Sequence, residues 1–213
     1  MARTKLKRLH KVNELPNVFN YNMESLQTEM QDYFKSAKHF TLEIGCGHGD
    51  YSVELAKKFP ERYFIGIDVK GARIYHGAMR ALEEKLNNVA FIISKAENLN
   101  EFIPPNSVQE IIIPFPDPQF RRANQKRRLI SPDFLKIYKG LLISNGVIHL
   151  KTDNQSLFDY TVDVIKNFGC EILFLTEDLN YNKDNDPLFE IVTRFEEHYI
   201  KEGRKIKYIR FKF

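Results

Sequence analysis

The chain of 213 residues contains no tryptophan and only two cysteines, Cys46 and Cys170. Two thiols are too few for a disulfide framework or a cysteine zinc site, which points to a reducing, cytoplasmic setting. No apolar run approaches the roughly 20 residues needed to cross a bilayer, so no membrane partner is expected. The basic opening, MARTKLKRLHKVNELP, lacks the apolar segment of a secretory signal. Residues 1–19 read instead as a basic arm. Internal repeats and low-complexity tracts are absent. His48, His149 and His198 show no ligand spacing, so no metal is expected.

What is present suits a globular fold. Hydrophobic residues make up 43% of the chain, enough for a sizeable core, and residues 20–213 read as one domain. The formal net charge of +4 says little, but its distribution says more. Arg3, Lys5, Lys7, Arg8 and Lys11 crowd the opening. Arg121, Arg122, Lys126, Arg127 and Arg128 form a central block, and Lys201, Arg204, Lys205, Lys207, Arg210 and Lys212 close the chain. Any one cluster reads as an ordinary solvated face. All three together suggest one phosphate-binding surface.

Strand and helix patterns alternate. Strands are expected at 40–44, 63–67, 89–93, 108–113, 147–152, 171–175 and 206–213. Helices are expected at 20–35, 50–59, 71–86, 131–142, 154–168 and 193–202, with 177–190 a polar loop. Such alternation implies an α/β fold: a mostly parallel, seven-stranded sheet with helices on both faces. The closing order suggests a last strand inserted antiparallel at the sheet edge.

Ligands of such sheets bind outside the carboxyl ends of the strands. Glu43, Asp68, Lys95–Glu97, Asp117 and Asp153 all fall on that rim. The stretch FTLEIGCGHGD at 40–50 ends a strand in Glu43 and passes into Gly45, Gly47 and Gly49. Glycines there let a ligand approach bare backbone. Asp68, at the end of the next strand, can accept both hydroxyls of a ribose. Nicotinamide and flavin enzymes favour G-x-G-x-x-G, whereas the spacing here is G-x-G-x-G. Glu43 beside a pyrophosphate would set two anions close together, so an oxidoreductase is disfavoured. A ligand with an ammonium group fits better. S-adenosylmethionine has one, plus a sulfonium and a ribose.

The Glu-x-Gly-x-Gly-x-Gly pattern resembles motif one of class I methyltransferases, which implies a Rossmann-like fold. Three further segments narrow the resemblance: PFPDPQFRRANQKRRL at 114–129, HLKTDN at 149–154 and TRFEEHY at 193–199. In that order and spacing they resemble the bacterial tRNA (guanine-N7)-methyltransferases. The resemblance implies methyl transfer from S-adenosylmethionine to N7 of a guanine in the tRNA variable loop, by a monomer or homodimer. It places Glu43 and Gly45–Gly49 at the methionine end of the cofactor, Asp68 at its ribose, and Lys95, Ala96 and Glu97 at its adenine. Asp117 becomes the catalytic acid between cofactor and guanine. Phe120, Arg121, Asp153, Thr193, Arg194, Phe195 and Glu196 become substrate contacts, and the arginine block meets phosphates.

The chain departs from the family pattern in places. Asp117-Pro118-Gln119-Phe120-Arg121 stands where Asp-Pro-Trp-Pro-Lys is usual; Phe120 supplies an aromatic face one position later and Arg121 keeps the cation. Lys95 stands where Asp or Asn is usual, and a lysine cannot accept the adenine amino hydrogens. Either Glu97 or the backbone then takes that role, or affinity falls. Phe195 replaces a frequent Tyr. Two other readings remain: methylation of an exocyclic amine on another RNA base, and a catalytically weakened tRNA-binding relative.

Overall fold

The computed structural model describes residues 8–22, 25–33, 37–179, 188 and 190–213, without the side chains at 27, 31, 122, 194 and 195. Eight strands form one sheet: β1 (Val18–Asn20), β2 (Phe40–Ile44), β3 (Tyr63–Asp68), β4 (Val89–Ile93), β5 (Val108–Pro114), β6 (Leu142–Thr152), β7 (Glu171–Thr176) and β8 (Lys207–Lys212). The order across it is β1-β4-β3-β2-β5-β6-β8-β7. Only β8 runs against the others, pairing antiparallel with both β6 and β7.

Helices cover both faces. They are α1 (Leu26–Tyr33), α2 (Asp50–Lys58), α3 (Gly71–Glu83), the single turn α4 (Leu99–Phe102), α5 (Pro132–Leu141), α6 (Gln155–Phe168) and α7 (Arg194–Lys201). Every residue of β2 is buried, as a strand covered on both sides requires. One face packs Leu26 and Met30 of α1, Phe134 and Tyr138 of α5, and Leu157 and Ile165 of α6. The other packs Tyr51 and Val53 of α2 with Ile74 and Ala78 of α3.

Local chemistry sets the helix ends. Ser131 precedes Pro132 at the first turn of α5, where the missing N–H costs nothing. Asn154 caps α6 by accepting from Leu157 N–H at 2.8 Å. Gly169, at φ 80°, ends α6, and Cys170 N–H then reaches back to Ile165 O at 2.9 Å.

Three expectations need correction. The arm does not extend to residue 19: Val12, Val18 and Phe19 are buried, and Val18–Asn20 pairs with β4 as an eighth strand. Three residues are too few to show strand periodicity, and their role is to cover the edge of β4. The strand β8 lies one place inside the sheet, with β7 at the edge. Asn145-Gly146 does not separate helix from strand; β6 starts at Leu142 and takes up the pair, with Asn145 at φ 63°, beside a register shift against β5. The expected loop at 177–190 lies largely outside the described residues.

Candidate active site

The sheet winds one way from β2 through β3 to β4, then restarts with β5 on the other side of β2. That reversal leaves a crevice at the strand carboxyl ends. A cavity of about 650 Å3 occupies it. Six acidic side chains line it, Glu43, Asp50, Asp68, Glu97, Asp117 and Asp153, of which the buried Glu43 holds its proton up to about pH 8, against the cations of Lys70, Arg73 and Arg127. The acidic excess favours a ligand with positive charge.

The floor is built by β2 and β3. Gly47, at φ 56°, turns its N–H onto Asp68 Oδ2 at 3.0 Å, and Lys70 N–H meets Oδ1 at 2.8 Å. Two backbone donors therefore fix the carboxylate, and each oxygen keeps accepting capacity toward a diol. Glu43 is 2% exposed, and its Oε2 accepts from Ser52 N–H at 2.8 Å and Ser52 Oγ at 2.6 Å. Ser52 N–H is one of the unpaired donors at the start of α2, which has no cap from its own N-cap residue Gly49. Burial pushes the Glu43 carboxyl up from its usual 4.5 to about 8; the two Ser52 hydrogen bonds oppose this, and Asp50 and Asp68 add to it.

A proline-rich bend forms the wall after β5. Its two non-proline neighbours, Phe115 and Gln119, sit at φ 49° and 47°, a left-handed region that disfavours side chains. Between them Asp117 is exposed and lines the cavity, its Oδ1 accepting from Gln119 N–H at 2.9 Å. Phe115 N–H anchors the bend to Lys151 O at 2.8 Å.

The last wall comes from β6 and α7. Asp153 faces the cavity while Oδ2 accepts from Arg204 Nη1 at 2.7 Å. Thr193 also lines it and caps α7 through Glu196 N–H at 3.1 Å. Behind Thr193 is a buried ion pair: Lys151 Nζ lies 3.1 Å from Glu196 Oε1, both side chains 4% exposed. Tyr51 Oη donates to Glu196 Oε2 at 3.3 Å, and Lys151 Nζ also donates to Leu188 O and Ile191 O.

Residues 37–209 match a family described as "Putative methyltransferase". A tRNA (guanine-N(7)-)-methyltransferase of Christiangramia forsetii is 40% identical over 221 residues, covering 99% of this chain and 98% of its own. One of Cytophaga hutchinsonii is 38% identical, covering 100% and 99%. The chain belongs to the tRNA (guanine-N7)-methyltransferase family. A solved antibiotic-related methyltransferase superposes with a TM-score of 0.65 at 19% identity, covering 87% of this chain and 92% of that one. That likeness shows the methyltransferase fold.

Of the residues assigned by resemblance to this methyltransferase family, Glu43, Gly45, Gly47, Asp68, Ala96, Glu97, Asp117, Asp153 and Thr193 come together around the cavity. Others do not. Gly49 is needed for packing: a Cβ there would lie 2.4 Å from Phe91 Cε1. Lys95 is exposed and does not line the cavity; Ser94, one residue nearer the end of β4, does. Glu196 is buried and does not line the cavity; its carboxylate is held by Lys151 and Tyr51. Phe120, 75% exposed, and Arg121 lie just beyond the cavity-lining Gln119. Arg128 is buried, so it drops out of the solvent-facing block. The side chains of Arg194 and Phe195 lie outside the described residues.

The cavity also holds residues that sequence reasoning did not assign to the site: His48, Arg73, Ser94 and Tyr199. Ser94 was findable as the first residue after a strand. Tyr199 carried a weaker signal, two turns into the helix that Thr193 starts, where it packs against Phe115 at 5.5 Å.

Proposed function

We propose that this chain transfers the methyl group of S-adenosylmethionine to N7 of a guanine in the variable loop of tRNA. It acts as one domain in the cytoplasm, as a monomer or homodimer. The observation that carries the reading is the presence of two carboxylates in one cavity. Asp68 is fixed by two backbone N–H groups, and Asp117 is presented on a constrained bend that lines the same cavity. The donor set fits the cofactor: a diol acceptor in Asp68, a small wall at Ala96, and acidic groups around a cationic centre.

When bound, the cofactor supplies an electrophilic methyl on a cationic sulfur. The chain's own residues supply placement. Asp68 and the Gly45–Gly47 backbone hold the donor, and Asp117 accepts from the Watson–Crick edge of an extruded guanine. The exposed ring of Phe120 stacks on a base, at a few kcal/mol at most. Arg121, Lys126 and Arg127, all exposed, meet phosphates.

The test is incubation with labelled S-adenosylmethionine and unmodified tRNA, followed by strand cleavage at 7-methylguanosine. Cleavage at one variable-loop guanosine is the expected result. Label recovered on an exocyclic amine would move the chain to another base-methylating class.

A further inference from the structure

The block Lys126-Arg127-Arg128 reads in sequence as three equivalent cations. In the fold they divide. Lys126 and Arg127 are exposed, while Arg128 is only 4% exposed. Burying a guanidinium is costly unless its donors and its flat face find partners. Arg128 finds both. Its Nε donates to Pro118 O at 2.9 Å, and its central carbon lies 4.2 Å from the ring centre of Tyr160 on α6. Its backbone is fixed as well: Arg128 N–H donates to Gln125 O at 3.1 Å, and Ser131 N–H donates to Arg128 O at 2.9 Å.

Pro118 O is a consequential acceptor. It belongs to the same planar peptide unit as Gln119 N–H. That N–H is the donor to Asp117 Oδ1 at 2.9 Å. A single rigid plate is therefore gripped at its oxygen by Arg128 and grips the Asp117 carboxylate at its hydrogen. Hydrogen bonds in series through one peptide polarise each other. The bend also needs an external hold, because Phe115 and Gln119 at φ 49° and 47° are conformations that persist only when their surroundings enforce them.

We infer that Arg128, seated on Tyr160, is a positioning residue: it orients the Pro118–Gln119 peptide and through it aims the Asp117 carboxylate. This rests on the reading of Asp117 as the group that meets the guanine. It separates the central block into two surface cations that hold RNA and one buried cation that sets the geometry of the reaction.

The experiment measures single-turnover methyl transfer at saturating tRNA, with tRNA affinity and its salt dependence taken on the same proteins. Arg128→Lys keeps the charge but loses the planar fork and the stack. Tyr160→Leu removes the seat, and Tyr160→Phe retains it. Arg128→Lys and Tyr160→Leu are expected to slow the step about 10- to 100-fold, the scale of a misplaced group, with tRNA binding and salt slope unchanged. Tyr160→Phe is expected to keep the rate. If Arg128→Lys does not fold, the two Tyr160 variants decide alone. A full rate in Arg128→Lys or Tyr160→Leu, or a loss that Tyr160→Phe shares, overturns the inference. Asp117→Ala is run in parallel. If it turns over normally, the reading of Asp117 has failed; if it is dead while the Arg128 and Tyr160 variants are not, only the present inference has.

Discussion

N7 of guanine carries its lone pair at neutral pH, so the attacking atom has no proton to lose. On the proposed reading, Asp117 serves to orient the guanine and to stabilise the charge that grows on the purine, not as a base. Asp117→Ala should cut turnover about 100-fold or more while tRNA affinity stays near normal, since the phosphate contacts lie elsewhere. Lost affinity with an intact single-turnover rate would remove Asp117 from that role. Glu43 makes a second prediction, through pH. Its carboxyl rises from 4.5 unfolded to about 8 folded. Below pH 4.5 it is neutral in both states, and in the window up to about 8 only the unfolded chain releases the proton. Stability should therefore fall as pH climbs through that window, by on the order of a few kcal/mol. Glu43→Gln, which still accepts from Ser52, should flatten the decline in urea unfolding measured at pH 5 and pH 8. An unchanged decline would mean that Glu43 is ionised when folded. Glu43 and Asp68 were legible in the sequence because strand ends in a parallel sheet always face one rim. Glu196 and Arg128 were not, because nothing in a charged residue's letter says whether a partner arrives from 45 residues away or from a distant helix.

Elements show the same division. The five central strands were visible as apolar runs because burial on both faces leaves little room for polar letters. β1 was not, since a three-residue strand carries no period, and its apolar letters Val18 and Phe19 were hidden behind a basic opening. At this scale the decisive contact is the Lys151–Glu196 pair, which ties β6 to α7 and so holds Thr193 against the cavity. Removing one partner of a buried ion pair strands the other charge. Glu196→Ala should thus cost about 3–5 kcal/mol in urea unfolding. Thr193→Ala removes only a helix cap, worth about 1 kcal/mol. The double change Lys151→Met with Glu196→Leu should recover much of the loss, because packed apolar groups replace buried charges well. A Glu196→Ala protein with normal stability and weakened tRNA binding would restore the substrate contact implied by the family pattern.

Across the whole molecule, Arg127 of the central basic block and Arg204 of the closing one reach one cavity. Arg127 lines the cavity from the central block. Arg204, from the closing block, pairs with Asp153 on the cavity wall and lies 4.7 Å from the ring centre of Tyr199. The cavity carries more acidic than basic side chains, which suits the proposed cationic donor, while Arg127 and the exposed Lys126 before it suit phosphates. This division predicts that cofactor and tRNA affinities respond differently to salt. Each phosphate contact releases a counterion, so tRNA affinity should fall steeply with salt, and Arg127→Ala should weaken it for every tRNA while lowering the log–log slope by about one. Cofactor binding, governed by short contacts inside the cavity, should hardly change between 50 and 200 mM salt, taken here as about the range over which phosphate contacts are lost. Titrating both ligands across that range, with the wild type and Arg127→Ala, checks the scheme. A slope unaffected by Arg127→Ala would place the RNA backbone on another face of the sheet.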